Sequence, residues 1–306
     1  MPNDPLKPRP RLAWRTAATA FALLLTSGAQ AAECLSADRL EALRQQRAAK
    51  WQPPADTPLD AQALELLPCL ADPDPAVRDA IAFEGLQAWM RGGRLQTATI
   101  QAIRVRLLAD LAAPDPRGFR PPFAALVLAE VARVDRVKPF LAADERADLV
   151  ARAASYLTNV RDYRGFDAQE GWRHGVAHGA DLALQLALNP QLTREQGEAL
   201  LTAIASQVMA ADAHAYRYGE PQRLMAPVFY LARRGWWTAA DWERWLLSLT
   251  ARLPKANLFQ SPAGLAGRHN LTAFLSALYL QAREGSDRAV EEAWLPGLRK
   301  ALGELP

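Results

Sequence analysis

The sequence predicts an all-α fold of stacked antiparallel helix pairs, arranged as a HEAT-like solenoid or an α/α-toroid-like array. Three observations predict it. Apolar residues recur at helical period along almost the whole chain, no stretch alternates as a half-buried strand would, and the breaks between periodic segments are short and rich in Gly, Pro and Asp. Short connections favour antiparallel neighbours, which stack into arrays.

The expected helices run near 36–50, 59–70, 75–91, 95–112, 122–138, 144–158, 172–188, 194–210, 222–234, 239–252, 267–283 and 287–302. Asp74-Pro75 supplies an N-cap and a proline at the first helical position. Thr193 with Gln196 has capping-box spacing, and Thr238 with Asp241 repeats it with the shorter acid. Gly92-Gly93, Asn189-Pro190, Gly235 and Gly285 mark helix ends. The stretch Leu70–Ala80 resembles the turn and second-helix start of a HEAT repeat. There an aspartate caps, Val77 packs inward and Arg78 bonds neighbouring turns. It occurs clearly once, so irregular pairing is the expectation.

Residues 1–31 read as a secretory signal peptide. Lys7, Arg9, Arg11 and Arg15 precede an apolar run, Ala17 to Leu25, and Ala29-Gln30-Ala31 has the A-x-A form of a cleavage site. That run is about half the roughly 20 apolar residues needed to span a bilayer, and no later segment is long and apolar enough. The expectation is one all-helical domain, 32–306, secreted across the inner membrane into a periplasm, with no integral membrane segment after cleavage. Four of the 36 Lys and Arg residues and one of the 33 Asp and Glu residues lie in 1–31, so the remainder carries no net charge. A neutral domain gives no electrostatic basis for nucleic-acid binding. The two cysteines, Cys34 and Cys69, both follow the cleavage point. In an oxidising compartment they are expected to form a disulfide worth about 3–4 kcal/mol.

All four histidines lie in the C-terminal half. His174, His178 and Asp181, at i, i+4 and i+7, are expected on one helical face, where two imidazoles and a carboxylate are a possible zinc-like site. Gly175 and Gly179 weaken that helix and suggest close approach of another backbone or of a ligand. The loop before it carries Asp162 and Arg164, either an ion pair that fixes the loop or an anion clamp, with Gly165 suited to a sharp turn. Trp172, read as the start of the helix, is a packing anchor or an aromatic wall. A second polar cluster holds His214, Tyr216 and Arg223, and a third, Gly267–Asn270, is expected to open a helix and present His269. Trp236, Trp237, Trp242 and Trp245 default to interhelical packing, with a sugar-binding platform as the rival.

The run Asp162-Tyr163-Arg164-Gly165-Phe166, Gly171-Trp172 with His174, then Ala177-His178-Gly179-Ala180-Asp181 resembles the hallmark of domain of unknown function 2785. The resemblance extends to Val77-Arg78-Asp79 with Phe83, to Arg120, Phe123 and Ala125–Leu128, and to Arg223-Leu224. Pro121 and Pro122 depart from it, since the family commonly has a serine beside that arginine and phenylalanine. The resemblance implies a bacterial, all-helical fold and assigns no activity. The resulting expectation is one cleft formed by the three clusters, binding a small polar ligand or metal ion. A hydrolase using the same cleft and a protein-interaction solenoid are the alternatives. Serine-nucleophile elbows and phosphate-cradling glycine loops are absent.

Overall fold

Helices form where periodicity and capping residues place them. The computed structural model describes residues 34–254 and 256–306. The chain forms α1 (Ala37–Ala48), α2 (Leu59–Glu65) and a 3-10 turn, Leu67–Ala71. Next, α3 (Pro75–Val77) passes through a π-helical stretch, Arg78–Phe83, into α4 (Glu84–Arg91). Then come α5 (Thr97–Asp110), α6 (Arg120–Val137) and α7 (Ala143–Asn159). A hairpin of β1 (Phe166–Asp167) and β2 (Gly171–Trp172) leads into α8 (Gly175–Ala187). The rest is α9 (Arg194–Val208), α10 (Glu220–Ala232), α11 (Ala239–Thr250), a 3-10 turn Leu258–Gln260, α12 (Pro262–Glu284) and α13 (Arg288–Gly303).

The caps work as their chemistry requires. Asp74 accepts the Ala76 N–H at 2.8 Å. Thr193 accepts the Gln196 N–H at 3.3 Å while the Gln196 side chain accepts the Thr193 N–H at 3.0 Å. Thr238 and Asp241 repeat this at 3.2 and 2.9 Å. Each such cap stabilises its helix by about 1 kcal/mol.

Helices alternate between neighbours. α6 packs on α8, α8 on α10 and α10 on α12, while α7 packs on α9 and α11 on α13. The inward residues Val127, Leu128 and Val131 of α6, Leu182 and Leu186 of α8, and Leu224, Val228 and Leu231 of α10 are no more than 1% exposed. Each contributes about 1.5–3 kcal/mol of apolar burial. One charged network lies in this interior. Asp135 on α6 accepts Arg146 Nε at 2.9 Å, Asn189 Nδ2 at 2.8 Å and the Leu141 N–H at 2.8 Å, joining α6, α7 and the end of α8. With every oxygen engaged, the buried charge is compensated. Burial alone would raise the Asp135 carboxyl, but Arg146 and these donors hold it below the ordinary aspartate value.

Two helix starts differ from the sequence expectation. α8 begins at Gly175, because 166–172 forms the hairpin, in which Phe166 pairs with Trp172 and Asp167 with Gly171. α12 begins at Pro262, because Ser261 caps it by accepting the Gly264 N–H at 3.0 Å. Gly267–Asn270 therefore lies inside the helix and offers no helix N-terminus to an anion. The tryptophans are packing. Trp242, 2% exposed, meets Trp237, Trp245 and Trp294 edge-on at centroid distances of 5.4, 5.8 and 5.7 Å.

Cys34 and Cys69 are disulfide-bonded, with Cα atoms 5.2 Å apart, tying the segment before α1 to the first 3-10 turn. Thiol labelling of unreduced, denatured protein is expected to modify neither cysteine; labelling of both would overturn the bond. No described helix is long and apolar enough to cross a membrane. The expected leader, 1–31, lies outside the described residues.

Candidate functional site

The segment between α7 and α8 is built from ion pairs and borrowed carbonyls. Asp162 accepts Arg164 Nε at 2.8 Å and Nη2 at 2.5 Å, and also the Arg164 N–H at 3.1 Å. Burial alone would raise the Asp162 carboxyl, but Arg164 and then Arg173 hold it below the ordinary range. The pair thus fixes the loop, and Arg164 is committed to Asp162. The Arg164 and Gly165 carbonyls accept the N–H groups of His174 and Arg173 at 3.1 and 3.0 Å, so the loop folds back onto the hairpin's exit.

Two arginines brace the hairpin from below. Arg78, fully buried, donates to the Asp72 carbonyl at 2.9 Å and reaches across to the Glu170 carbonyl at 2.7 Å. Arg173 donates to the Arg117 carbonyl at 2.6 Å and to Glu170 Oε2 at 2.7 Å. Both guanidiniums lie over the Phe119 ring, at 4.1 and 4.3 Å from its centroid. Gly165 has no positive φ; its need for glycine is space, since a Cβ there would strike the Tyr218 ring. Gly179 meets the expectation of close approach, since a Cβ would lie 2.7 Å from Leu157 Cδ2.

His174 stands before α8 and not on it. Its φ of +53° is left-handed, which costs a side-chain-bearing residue about 1–2 kcal/mol. Its ring stacks on Trp172 at 4.8 Å and 24°, and its Nε2 lies 3.6 Å from the buried Glu220 carboxylate without a hydrogen bond. Burial, only partly offset by Glu220, lowers its pKa. His178 bonds the Pro122 carbonyl through Nδ1 at 3.2 Å. With that proton on Nδ1, Nε2 carries the lone pair. Burial first, then His174 and Arg223, push its pKa down to about 3, so the ring is neutral. Asp181 accepts Arg223 Nη2 at 2.5 Å; burial outweighs that partner and pushes the carboxyl up to about 6.

Among the described residues, no three His, Cys, Asp or Glu side chains are grouped to hold a metal ion. The expected zinc-like set of His174, His178 and Asp181 is not assembled. The left-handed turn takes His174 off the helix toward Glu220 and Asp181 is taken by Arg223, so His178, which keeps its Nε2 lone pair, has no completed ligand set around it.

Above this group the hairpin leaves an aromatic rim. Trp172 is 37% exposed, Tyr218 39% and Phe166 50%, with Trp172 5.5 Å from Tyr218 and 5.1 Å from Phe166. Trp172 is therefore an exposed rim residue and not a core anchor.

The three clusters do not merge into the single expected cleft. Asp162, Tyr163, Arg164, Arg173, His214 and Tyr218 line one cleft of about 540 Å³, which His174, His178, Asp181 and Arg223 do not line. His214 stacks on Tyr163 at 5.2 Å and 17°, and burial lowers its pKa. Tyr216 is buried, donating its hydroxyl to the Gln207 carbonyl at 2.8 Å, and is a structural pin. His269 is exposed and reaches only the Tyr216 carbonyl, at 3.3 Å. Its neighbour Asn270, fully buried, holds the loop by bonding the Tyr216 N–H and the His214 carbonyl, each at 2.8 Å. Glu220 and Arg173 are given no role by the sequence reading. Only Glu220 carried a signal, an acid followed by proline at a helix start.

The fold and this group of side chains define an all-helical protein with a polar, aromatic-rimmed face beside an ion-paired loop. The chain belongs to the family of proteins of unknown function DUF2785, whose family model matches residues 107–280, from within α5 to within α12. Comparison with curated proteins and with solved structures gives no match.

Proposed function

We propose that the protein binds a small polar ligand on the face formed by Trp172, His174, His178, Asp181, Tyr218 and Arg223. The observation that carries this reading is the half-exposed Arg223 held by Asp181 beside the buried His178 and the mostly buried His174, under an open aromatic rim. Groups serving only the fold would be exposed and cheap or buried and fully bonded. His174 Nε2 is buried without a hydrogen bond, on a residue held in a costly backbone conformation. Strain of that kind persists where a site requires it. A second reading, a hydrolase on the same face, draws support from Asp181, whose pKa of about 6 suits proton exchange near neutrality.

The protein is taken to be exported, with residues 1–31 as leader and 32–306 as one domain; the Cys34–Cys69 bond fits an oxidising compartment. The successive stacking of α4, α6, α8, α10 and α12 supports a HEAT-like array.

Thermal unfolding with glucose, glutamate, succinate or inorganic phosphate, each at 10 mM, tests the binding reading. One class is expected to raise the midpoint; a ligand at a hundredfold its Kd adds about 2.7 kcal/mol. Arg223→Gln should abolish the rise. No rise with any of the four, or an undiminished rise in the variant, would overturn it.

A further inference from the structure

A second cavity, of about 430 Å³, lies on the other side of the Asp162 loop, between the end of α5, the start of α6 and the end of α7. Its volume falls within the range of small-ligand sites, roughly 300–1,000 Å³. Leu108, Leu111, Tyr156 and Val160 form its wall. Each is 8–9% exposed, whereas neighbouring core residues such as Leu107 and Leu157 are at 0%, so the wall is apolar surface left open to the cavity.

The polar part of the lining is asymmetric. Asp115 and Asp162 are both satisfied. Asp115 accepts the N–H groups of Arg117, Phe119 and Arg120 at 3.0, 2.8 and 2.7 Å, and Asp162 is held by Arg164. In each, burial would raise the carboxyl, but the donors hold it below the ordinary range, so both stay ionised. Neither seeks a cation, and together they repel a dianion. Arg161 is the opposite case. It is exposed and its Nη1 donates to the Thr158 and Val160 carbonyls at 2.9 and 2.7 Å. Among the described residues, its Nε and Nη2 make no hydrogen bond and it has no carboxylate partner. Arg152, the other lining cation, shares an exposed contact with Asp148 at 3.3 Å, a weak commitment.

We propose that this cavity is a second binding site, for a small amphipathic monoanion. Its hydrocarbon body lies against Leu108, Leu111, Tyr156 and Val160, and its carboxylate meets the free edge of the Arg161 guanidinium. The site is independent of the His174–Arg223 face. Isothermal titration with 3-phenylpropanoate, 3-phenylpropanol and 3-phenylpropylamine tests it. The acid anion is expected to bind at least tenfold more tightly than the alcohol or the amine. Arg161→Gln should weaken anion binding at least tenfold, Arg161→Lys should retain it, and Arg217→Gln, in the neighbouring cleft, should leave it unchanged. Equal binding of the three compounds, an unaffected Arg161→Gln variant, or no anion binding at 10 mM would overturn the proposal.

Discussion

Replacing Arg78 by alanine is expected to destabilise the protein by about 3–5 kcal/mol, the range for breaking a buried charged network. The side chain is fully buried and donates to carbonyls on both sides of its helix start, Asp72 and Glu170, while covering the Phe119 and Phe123 rings at 4.1 and 4.9 Å. Alanine leaves a cavity, strips the part-buried Asp72 and Glu170 carbonyls of a donor, leaves Asp79 without its cation and removes a contact by which the first helices grip the hairpin. Urea unfolding measures the loss. Amide exchange at Arg173 and His174, whose N–H groups close the loop, should accelerate in the variant. The control is Arg47→Ala, which breaks an ion pair to Glu84 of similar length whose side chains are 48% and 42% exposed. Exposed pairs contribute about 0–1 kcal/mol. If both variants lose the same small amount, Arg78 is not the strut its contacts describe.

The consequence for the site is mechanical. The Glu170 carbonyl held by Arg78 and the Glu170 carboxylate held by Arg173 sit on the turn between the two short strands. That turn precedes Trp172 and leads into the left-handed residue His174. A motif that reads as a ligand set is thus partly scaffold, with Arg164 paired to Asp162 and Arg173 to Glu170.

Helices were legible because their information is local. Thr193 and Gln196 cap each other within one turn, and Asp74-Pro75 starts a helix without outside help. The disulfide was legible from compartment and count. The two misplaced starts were matters of weighting. Ser261-Pro262 is as good a start as Asp74-Pro75, but the less regular apolar pattern after it masked the signal. The hairpin has only two residues per strand, too few to alternate. The site was half legible. His174, His178, Asp181 and Arg223 were named and all fall on one face, but their partners are distant in sequence. Glu220 reaches His174 from 46 positions away, and Pro122 fixes the His178 tautomer from 56. The expected metal set is not assembled for reasons that no i, i+4 count contains: a left-handed φ takes His174 off the helix, and Arg223 takes Asp181.

Asp181→Asn is expected to change how stability depends on pH, by up to about 3 kcal/mol between pH 4 and 7.5, taking 1.36 kcal/mol per pKa unit. The carboxyl titrates near 6 in the folded protein against an ordinary value of 3.8, because burial outweighs the Arg223 contact. Between those values the folded state holds a proton that the unfolded state has released. Raising the pH through this window therefore favours unfolding, and the full cost is in place above about pH 6. Below 3.8 both states are protonated and the cost vanishes. Asparagine does not titrate, so the variant should lack this component. Its stability relative to the native protein should rise from pH 4 to pH 7.5. Urea titrations of both proteins at pH 4, 5, 6 and 7.5 give the difference directly. Arg223→Gln separates the causes. Without the guanidinium the carboxyl loses the only partner that lowers its pKa strongly, so the window should widen toward higher pH. Parallel stability curves for the native protein and Asp181→Asn would mean that Asp181 titrates alike in the folded and unfolded states, and the proton-exchanging group on which the hydrolase reading depends would not exist.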